Sequence, residues 1–286
     1  MMAARDDRGA HDPAGSEELL RQYAGYLVDM DGVLLRGTEP IAGSVRALAL
    51  LQSMARVILV TNNSTRSRQE LSASLEAHRF SVPPEDIITS AYAASQKLFD
   101  DHGPVAVWPV GERGLREELL ACGHRLVADP TDAEWVVAGM DRHLTYGTLA
   151  DALIALDGGA RLLATNEDET FPIPQGRRPG AGAVVGAMRG MGYAPEIVIG
   201  KPEAILFQRA MARARVPAAE TLMVGDRLET DMLGASRCGV DGLLVLSGIS
   251  TLEDVQRGKI APTWIADTLA HAVDGKARRW ARENQG

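Results

Sequence analysis

The stretch YLVDMDGVLLRG, residues 26–37, is an apolar run that ends on two aspartates one residue apart, followed by a glycine. Asp and Gly are common where a strand turns, because Asp bonds its own backbone and Gly accepts positive φ. On a strand, however, residues i and i+2 point the same way, so Asp29 and Asp31 would place two carboxylates together. Two carboxylates at such a short separation repel one another and require a positive group between them. The stretch predicts either a turn or a charged site.

Bulk composition limits the kind of protein that carries this stretch. The 286 residues suit one large or two modest domains, and 45% hydrophobic residues with 5% aromatics are typical of an α/β protein. A net charge of −8 argues against a nucleic-acid polymer as partner. No apolar run reaches the roughly 20 residues that cross a bilayer, so no membrane association is expected.

Cysteine usage and the start of the chain bear on location. Cys122 and Cys238 are too few for a disulfide framework and indicate a reducing, cytoplasmic compartment. Residues 1–20 lack the hydrophobic stretch of a signal peptide, and we expect them to form a polar N-terminal leader.

Short apolar strands alternate with helical patterns along most of the chain. After the opening strand come RVILVTNN (56–63), EIVIGKP (196–202), TLMVGD (221–226) and GLLVLSG (242–248), with helical segments between them. This alternation predicts an α/β fold with a Rossmann-like parallel sheet covered on both faces. Crossovers in such sheets are right-handed, so these strands should all end at the same edge.

The middle of the chain has strands of its own. GPVAVWPVG (103–111), EWVVAGMD (134–141) and RLLATN (161–166) alternate with further helical patterns. We therefore expect residues 101–194 to form an inserted α/β domain, with residues 21–100 and 195–286 forming the core. Linkers are expected near residues 90–95 and 193–196.

Four strands of the predicted core end in polar residues that could bind a ligand. In open parallel sheets, ligands bind outside the carboxyl ends of the strands. Each group alone has a plainer explanation as a turn, a helix cap or a surface charge. Their occurrence at one edge favours a site. The residues are Asp29 and Asp31; Thr61, Asn62 and Asn63; Lys201; and Asp226 with Asp231.

These residue types suit phosphoryl transfer. A carboxylate such as Asp29 attacks phosphorus to form an acyl phosphate, and a second acid such as Asp31 protonates the leaving oxygen. Carboxylate and phosphate repel, so a cation must lie between them, and Mg²⁺ prefers oxygen ligands. Asp29, the main-chain carbonyl of Asp31 and Asp226 would supply three such oxygens.

The charge on the phosphoryl oxygens needs further donors. The Thr61 hydroxyl and main-chain amides at Asn62 would donate without charge, and Lys201 would add a cation. Asp231 would orient Lys201 or a metal-bound water.

Four motifs, DMDGV, VTNNS, GKP and GDRLETD, occur in the order and context of those of the haloacid dehalogenase superfamily, which the chain resembles over roughly residues 22–270. The insertion between the second and third motifs resembles subfamily IIA, which carries a C2-type α/β cap. Five stretches resemble its p-nitrophenyl phosphatase, phosphoglycolate phosphatase and glycerol-phosphate phosphatase members: DGVLLRG, TNNSTRSR, GMDRHLTY, TNEDETFP and PGAG. In this interpretation, residues 101–194 are the cap.

The resemblance implies a Mg²⁺-dependent phosphomonoesterase that acts on a small phosphate ester, such as glycerol phosphate, phosphoglycolate or p-nitrophenyl phosphate, through an aspartyl phosphate. Association as a homodimer through the cap is also implied. The implied roles are as follows: Asp29, nucleophile; Asp31, acid and base; Asp29, Asp31 and Asp226, Mg²⁺ ligands; Thr61, Asn62, Asn63 and Lys201, phosphate binding.

The cap loop of residues 166–182 is the candidate substrate loop, with Asp168, Phe171 and Arg178 as contacts. The alternative is a long surface loop with helix-capping duties. Phe171 stands where pyridoxal phosphatases of the group carry histidine, and Leu35 where many relatives carry an aromatic residue. The first departure argues against a vitamin-phosphate substrate.

Other functions stay open at this point. A nucleotide or sugar-phosphate phosphatase would use the same residues, and so would a phosphotransferase whose cap excludes water. Arg142 and His143 are further residues that could face the substrate. A signalling receiver module also pairs an aspartyl phosphate with Mg²⁺, but the order of DMDGV and the inserted domain argue against it.

Overall fold

The computed structural model describes residues 22–173 and 176–280. The predicted polar leader, residues 1–20, lies outside the described residues. The predicted fold class is confirmed, because parallel sheets and helices alternate along the chain. In the described part, no helix combines the length and the apolar character needed to span a membrane.

Among the described residues, seven strands form the larger sheet. They are β1 (Gly25–Val28), β4 (Arg56–Thr61), β5 (Ile87–Thr89), β13 (Thr221–Gly225), β14 (Asp241–Val245), β15 (Trp264–Ala266) and β16 (Arg278–Arg279). Their order is β16-β15-β14-β13-β1-β4-β5, and only β15 and β16 run antiparallel. Val28 pairs with Val224 on one side and Leu59 on the other, so β1, β13 and β4 end at one edge.

Five further strands within the described residues form a smaller, wholly parallel sheet of order β12-β9-β8-β6-β7. They are β6 (Ala106–Val110), β7 (Arg125–Leu126), β8 (Trp135–Ala138), β9 (Arg161–Ala164) and β12 (Ile197–Val198). Two antiparallel pairs complete the strands: β2 (Leu35–Arg36) with β3 (Glu39–Pro40), and β10 (Thr170–Ile173) with β11 (Gly176–Pro179).

Helices cover the sheets. They are α1 (Ser44–Met54), α2 (Arg68–Ala77), α3 (Ser90–His102), α4 (Arg113–Ala121), α5 (Tyr146–Asp157), α6 (Ala181–Gly190), α7 (Ala204–Ala214), α8 (Leu233–Arg237), α9 (Leu252–Arg257) and α10 (Leu269–His271). A π-helical turn, Leu228–Met232, leads directly into α8.

Two segments differ from the sequence-based expectation. The strand before Lys201 was expected in the larger sheet, but Ile197 pairs with Leu163 of the smaller one. Residues 90–95 were expected to be a linker, but they begin α3, where the Thr89 side chain accepts a hydrogen bond from the Tyr92 N–H. A short apolar run does not encode which sheet it joins, and small residues such as those of α3 suit a buried helix as well as a linker. The division of the chain into core and cap residues stays a prediction.

The two sheets share one apolar cluster. In the larger sheet, Tyr26 packs into a cluster on one face, whereas Leu27 packs on the other. The cluster around Leu27 continues into the smaller sheet, where it includes Val137 and Leu163. Alternate residues of a strand face opposite sides, so one face of each sheet contributes to this joint cluster. A separate cluster covers the other face of the smaller sheet, around Val136.

A buried ion pair reinforces this junction. Glu118 of α4, only 2% exposed, accepts hydrogen bonds from the main-chain N–H and the Nε of Arg68, which begins α2. The Arg68 guanidinium also stacks 3.5 Å from the ring centre of Tyr92 in α3. Helices that follow strands of different sheets are therefore held together by charge as well as by apolar packing.

We expect Glu118→Ala to lower the free energy of unfolding by about 3 kcal/mol, because it leaves a half-buried guanidinium without its partner. Glu117→Ala on the same helix is the matched control: the Glu117 side chain is 43% exposed and pairs with Arg113 at 3.6 Å, so its loss should cost less than about 1 kcal/mol. Urea unfolding of both variants measures the difference. Equal midpoints for the two variants would contradict the importance of the pair.

Candidate active site

The turn after β1 explains why glycine follows the two aspartates. Asp29 continues the sheet, donating its N–H to Val224 O at 2.9 Å, and the chain then turns back so that Leu34 and Leu35 donate to Met30 O. Gly32 has φ of +79°, and a Cβ there would overlap the Asp226 carboxylate. The stretch is thus both a turn and part of a charged cluster.

Lys201 is the cation of this cluster. Its Nζ lies 2.8 Å from Asp29 Oδ1, 2.6 Å from Asp231 Oδ1 and 3.3 Å from Val60 O, which gives each ammonium proton an acceptor. All three charged side chains are buried. Burial alone would lower the pKa of Lys201, but the carboxylates of Asp231 and Asp29 outweigh it and raise the pKa above its ordinary value.

Asp226 follows β13 and is held by the loop after β14. Its Oδ2 accepts a hydrogen bond from the Ile249 N–H at 2.8 Å, and a Cβ at Gly248 would overlap the carboxylate. Ser247 Oγ donates to Gly32 O at 2.6 Å and so joins this loop to the turn after β1. Residues 247–250 were not predicted from the sequence, because Ile249 acts through its N–H and Gly248 through close approach; the available signal was a strand ending at the same edge.

Asp29, Asp226 and Asp231 present carboxylate oxygens that all lie within 4.8 Å of one another. With Lys201 as the one cation in contact with this group among the described residues, two negative charges are left uncompensated. Burial first, and then the charge of Asp231, raise the pKa of Asp226 to about 7. Burial likewise raises the pKa of Asp29, against the opposing effect of Lys201.

This donor set fits a divalent cation, because three buried oxygen donors and two uncompensated charges match the preference of hard cations. Both oxygens of Asp231 are already engaged, by Lys201 Nζ and by the Arg227 N–H at 3.1 Å. Asp29 and Asp226 are therefore the better candidates for ligands.

Asp31 lies apart from these three carboxylates. Its side chain is exposed to solvent, yet enough protein surrounds it for desolvation to raise its pKa, against the opposing charges of Lys201, Arg227 and Arg66. A carboxyl group with a raised pKa that remains accessible is suited to exchange a proton.

The loop after β4 places Thr61 and Asn63 in different roles. Thr61 is buried, and its Oγ1 accepts from the Asn63 N–H at 3.2 Å; its hydroxyl proton has no acceptor within the described residues. Asn63 Oδ1 accepts from the Thr65 and Arg66 N–H groups, which shapes the turn. The side-chain amide oxygen of Asn63 is therefore already hydrogen-bonded within the turn.

The side chain of Asn62 is also occupied. Its Nδ2 donates to Asp168 and to Lys201 O, and its Oδ1 accepts from the Lys201 N–H. The predicted residues Asn62, Lys201 and Asp168 are thus brought together, although they come from different sheets.

Other predicted substrate contacts lie outside this cluster. Phe171 and Arg178 face each other across the hairpin of β10 and β11, which the sequence analysis expected to be a loop. No hydrogen bond joins either side chain to the carboxylates in the described residues. Arg142 instead forms a two-pronged ion pair with Glu112, through Nε at 2.7 Å and Nη2 at 2.5 Å.

Family models match both ends of the described chain. The model for haloacid dehalogenase-like hydrolases matches residues 26–125, and a second model, HAD-hydrolase-like, matches residues 198–272. Between them they include the turn after β1, the loop after β4, Lys201 and the segment from Asp226 to Asp231.

Similar proteins are phosphatases by name. An acid sugar phosphatase of Staphylococcus haemolyticus is 33% identical over 256 residues, which span 89% of this chain and 97% of that protein. The p-nitrophenyl phosphatase of Archaeoglobus fulgidus is 32% identical, with a TM-score of 0.84 over 88% of this chain and 99% of that one. A glycerol phosphate phosphatase of Mycobacterium tuberculosis, solved in complex with magnesium, is 34% identical. Its TM-score is 0.82, over 89% of this chain and 77% of that one.

We expect the metal-free protein to lose stability as the pH rises from about 4.5 to 7.5. The pKa of Asp226 is raised to about 7, so its contribution is fully present below the unfolded value of about 3.9, decreases as the pH rises from there and is lost once the pH has passed through 7. Melting temperatures in EDTA should fall by several degrees over this range. Mg²⁺ should abolish the fall, because a divalent cation stabilises the ionised carboxylates.

The control is Asp226→Asn, which should flatten the pH dependence in EDTA. A wild-type melting temperature that is constant over this range in EDTA and unchanged by Mg²⁺ would contradict a cation site here.

Proposed function

Because the chain belongs to the haloacid dehalogenase superfamily, in subfamily IIA with a C2-type cap, and is a phosphoric monoester hydrolase, we propose that it hydrolyses a small phosphate ester with Mg²⁺ through an aspartyl phosphate on Asp29. The observation that carries the proposal is the buried group of Asp29, Lys201 and Asp226 at the edge where β1 and β13 end. Attack on an anionic ester requires a carboxylate nucleophile, a nearby positive charge and a second carboxylate close enough for both to bind the same metal ion.

Asp29 is the nucleophile of the proposed reaction. Its Oδ1 is engaged by Lys201, which orients the carboxylate and favours its ionised form against the effect of burial, whereas both oxygens of Asp231 are already hydrogen-bonded. Attack of an Asp29 oxygen on phosphorus forms the acyl phosphate and breaks the bond to the ester oxygen. Water then attacks the acyl phosphate, releasing inorganic phosphate and restoring the carboxylate.

Asp31 is the acid and base. In its protonated form it gives a proton to the departing alkoxide, and it later takes one from the attacking water. Its exposure and its raised pKa both support this role, because the group must exchange protons twice in each turnover.

Asp29, Asp226 and the main-chain carbonyl of Asp31 are the proposed Mg²⁺ ligands. When bound, Mg²⁺ would screen the repulsion between these carboxylates and the anionic ester. The magnesium complex of the M. tuberculosis glycerol phosphate phosphatase supports this choice of cation.

Thr61 and Lys201 are the proposed side-chain donors to the phosphoryl oxygens. Lys201 brings positive charge, and Thr61 brings a hydroxyl proton that is not committed elsewhere in the described residues. Asn62 would contribute through its main-chain N–H, because its side chain is already occupied.

The substrate is proposed to be a small phosphorylated metabolite. The names of the similar phosphatases support sugar phosphates, glycerol phosphate and p-nitrophenyl phosphate as candidate substrates. Asp168, Phe171 and Arg178 remain the proposed contacts of the cap loop. We also propose a homodimer formed through the cap and a cytoplasmic location; the free thiols of Cys122 and Cys238 support a reducing compartment.

The proposal is tested by incubating the protein with a panel of esters and measuring free phosphate. Glycerol 3-phosphate, a hexose phosphate, phosphoglycolate, a nucleoside monophosphate and p-nitrophenyl phosphate form the panel, each with Mg²⁺ and with EDTA. Sustained, Mg²⁺-dependent release is expected, with the highest kcat/KM for a polyol or sugar phosphate. Transfer to an acceptor alcohol without net phosphate release would contradict hydrolysis.

Asp29→Asn should reduce phosphate release to background, a loss of at least about 1,000-fold, because the amide oxygen is a poor nucleophile. The matched control is Asp267→Asn, since that side chain is 75% exposed and lies in a separate surface contact. Near-normal turnover by Asp29→Asn would remove the basis of the assignment.

Asp31→Asn should lower kcat by about 100- to 10,000-fold for glycerol 3-phosphate, whose alkoxide cannot depart without a proton. The loss should be much smaller for the first step with p-nitrophenyl phosphate, because p-nitrophenolate is a stable leaving group. Single-turnover measurement of p-nitrophenolate release gives the rate of that first step. Equal losses for both esters in that step would argue against a general acid.

A further inference from the structure

Asn62 connects the two sheets at the candidate active site. Its Nδ2 donates to Asp168 Oδ1 and Oδ2 at 3.2 and 3.1 Å and to Lys201 O at 3.0 Å. Its Oδ1 accepts from the Lys201 N–H at 2.8 Å. One amide side chain therefore holds both the N–H and the carbonyl of Lys201 while it contacts a carboxylate of the loop after β9.

This arrangement fixes the main chain from which the buried cation extends. With both its N–H and its C=O bound to Asn62, Lys201 has little freedom to move its Cα, and its Nζ is held between Asp29 and Asp231. The preceding Gly200 packs so closely that a Cβ would overlap Asn62 Oδ1 and the Cβ of Asn166. Glycine at position 200 therefore allows the Asn62 amide to approach this part of the main chain.

The loop after β9 also holds the main chain of Asn62. Asn166 Nδ2 donates to Asn62 O at 2.8 Å, and the Asp168 N–H donates to Asn166 Oδ1 at 3.1 Å. Asp168 is partly buried and forms no ion pair at contact distance with a described residue; its carboxylate accepts its hydrogen bonds from the Asn62 side chain. A hydrogen bond to a carboxylate is stronger than one between neutral groups, so Asp168 strongly biases the Asn62 amide.

We propose that Asp168 is a positioning residue for phosphoryl transfer: its carboxylate orients the Asn62 amide, and Asn62 thereby fixes Lys201 beside Asp29. This inference rests on the proposed function and changes the role expected for Asp168, from a contact of the leaving group to a support of the phosphoryl site. The cap loop would then complete the reaction centre as well as surround the substrate.

Asp168→Ala separates these roles when it is measured with a ligand that has no leaving group. Orthovanadate in the presence of Mg²⁺ probes the phosphoryl site alone. We expect its inhibition constant to rise by about 10- to 100-fold, the loss typical of one hydrogen bond to a charged group. The kcat for p-nitrophenyl phosphate and for glycerol 3-phosphate should fall by a similar factor, because the defect lies in the part that both esters share.

Two further variants make the test specific. Glu169→Ala removes the same charge from the neighbouring position of the loop, where the side chain is exposed, and should leave vanadate inhibition unchanged. Asp168→Asn keeps an acceptor oxygen for Asn62 Nδ2 and should restore most of the affinity lost in Asp168→Ala. Melting temperatures establish that each variant is folded.

A double-mutant cycle tests whether the effect passes through Asn62. Once Asn62→Ala has removed the bridge, adding Asp168→Ala should weaken vanadate inhibition by no more than about twofold, because coupled residues are not additive. Fully additive losses would overturn the proposal.

Other outcomes would also overturn it. A loss confined to glycerol 3-phosphate, with vanadate inhibition unchanged, would make Asp168 a contact of the substrate. If Asp168→Ala changed vanadate inhibition no more than Glu169→Ala does, the positioning role would be removed. The same would follow if Asp168→Asn weakened vanadate inhibition as much as Asp168→Ala. A wild-type protein that neither releases phosphate from any ester nor binds vanadate would instead refute the proposed function, and this inference with it.

Discussion

The structure around the candidate active site depends on how a buried ammonium is shared among buried carboxylates. Lys201 satisfies Asp29 and Asp231 but not Asp226, which is stabilised by the Ile249 N–H and by close packing of the main chain. The cost of desolvating these charges is offset only if every group keeps its partner, so the surrounding loops have little freedom. This explains why glycine occurs at positions 32 and 248, where the main chain lies against the Asp226 carboxylate.

Parallel-sheet geometry brings most of this cluster together, and one side-chain bridge brings in the rest. Asp29 and Asp226 follow β1 and β13, and Thr61 is the last residue of β4; the register of these neighbouring strands places their ends side by side. Lys201 has no such support, since it follows a strand of the smaller sheet. It reaches the cluster because Asn62 binds its main chain, so a neutral amide positions the charge that the site needs.

Much of this could be predicted from the sequence, and the omissions share a physical cause. The apolar runs before Asp29, Thr61 and Asp226 predicted parallel strands, and the sheet's geometry then predicted that their ends would meet. The contact between Asn62 and Asp168 spans 106 positions in the sequence and depends on the packing of two sheets, which local patterns do not encode. Ile249 contributes through its N–H group and Gly248 through close approach to Asp226, which residue type alone does not reveal.

The apolar cluster shared by the two sheets, together with the buried Glu118, also bears on how substrate preference could diverge in this family. A sheet whose inner face belongs to its neighbour's hydrophobic core is not readily exchanged by recombination, since a foreign replacement would have to match side chains such as Leu27 and Ile58. Gradual substitution in the exposed hairpin, where Arg177 and Arg178 have no such packing to preserve, is the less disruptive evolutionary route.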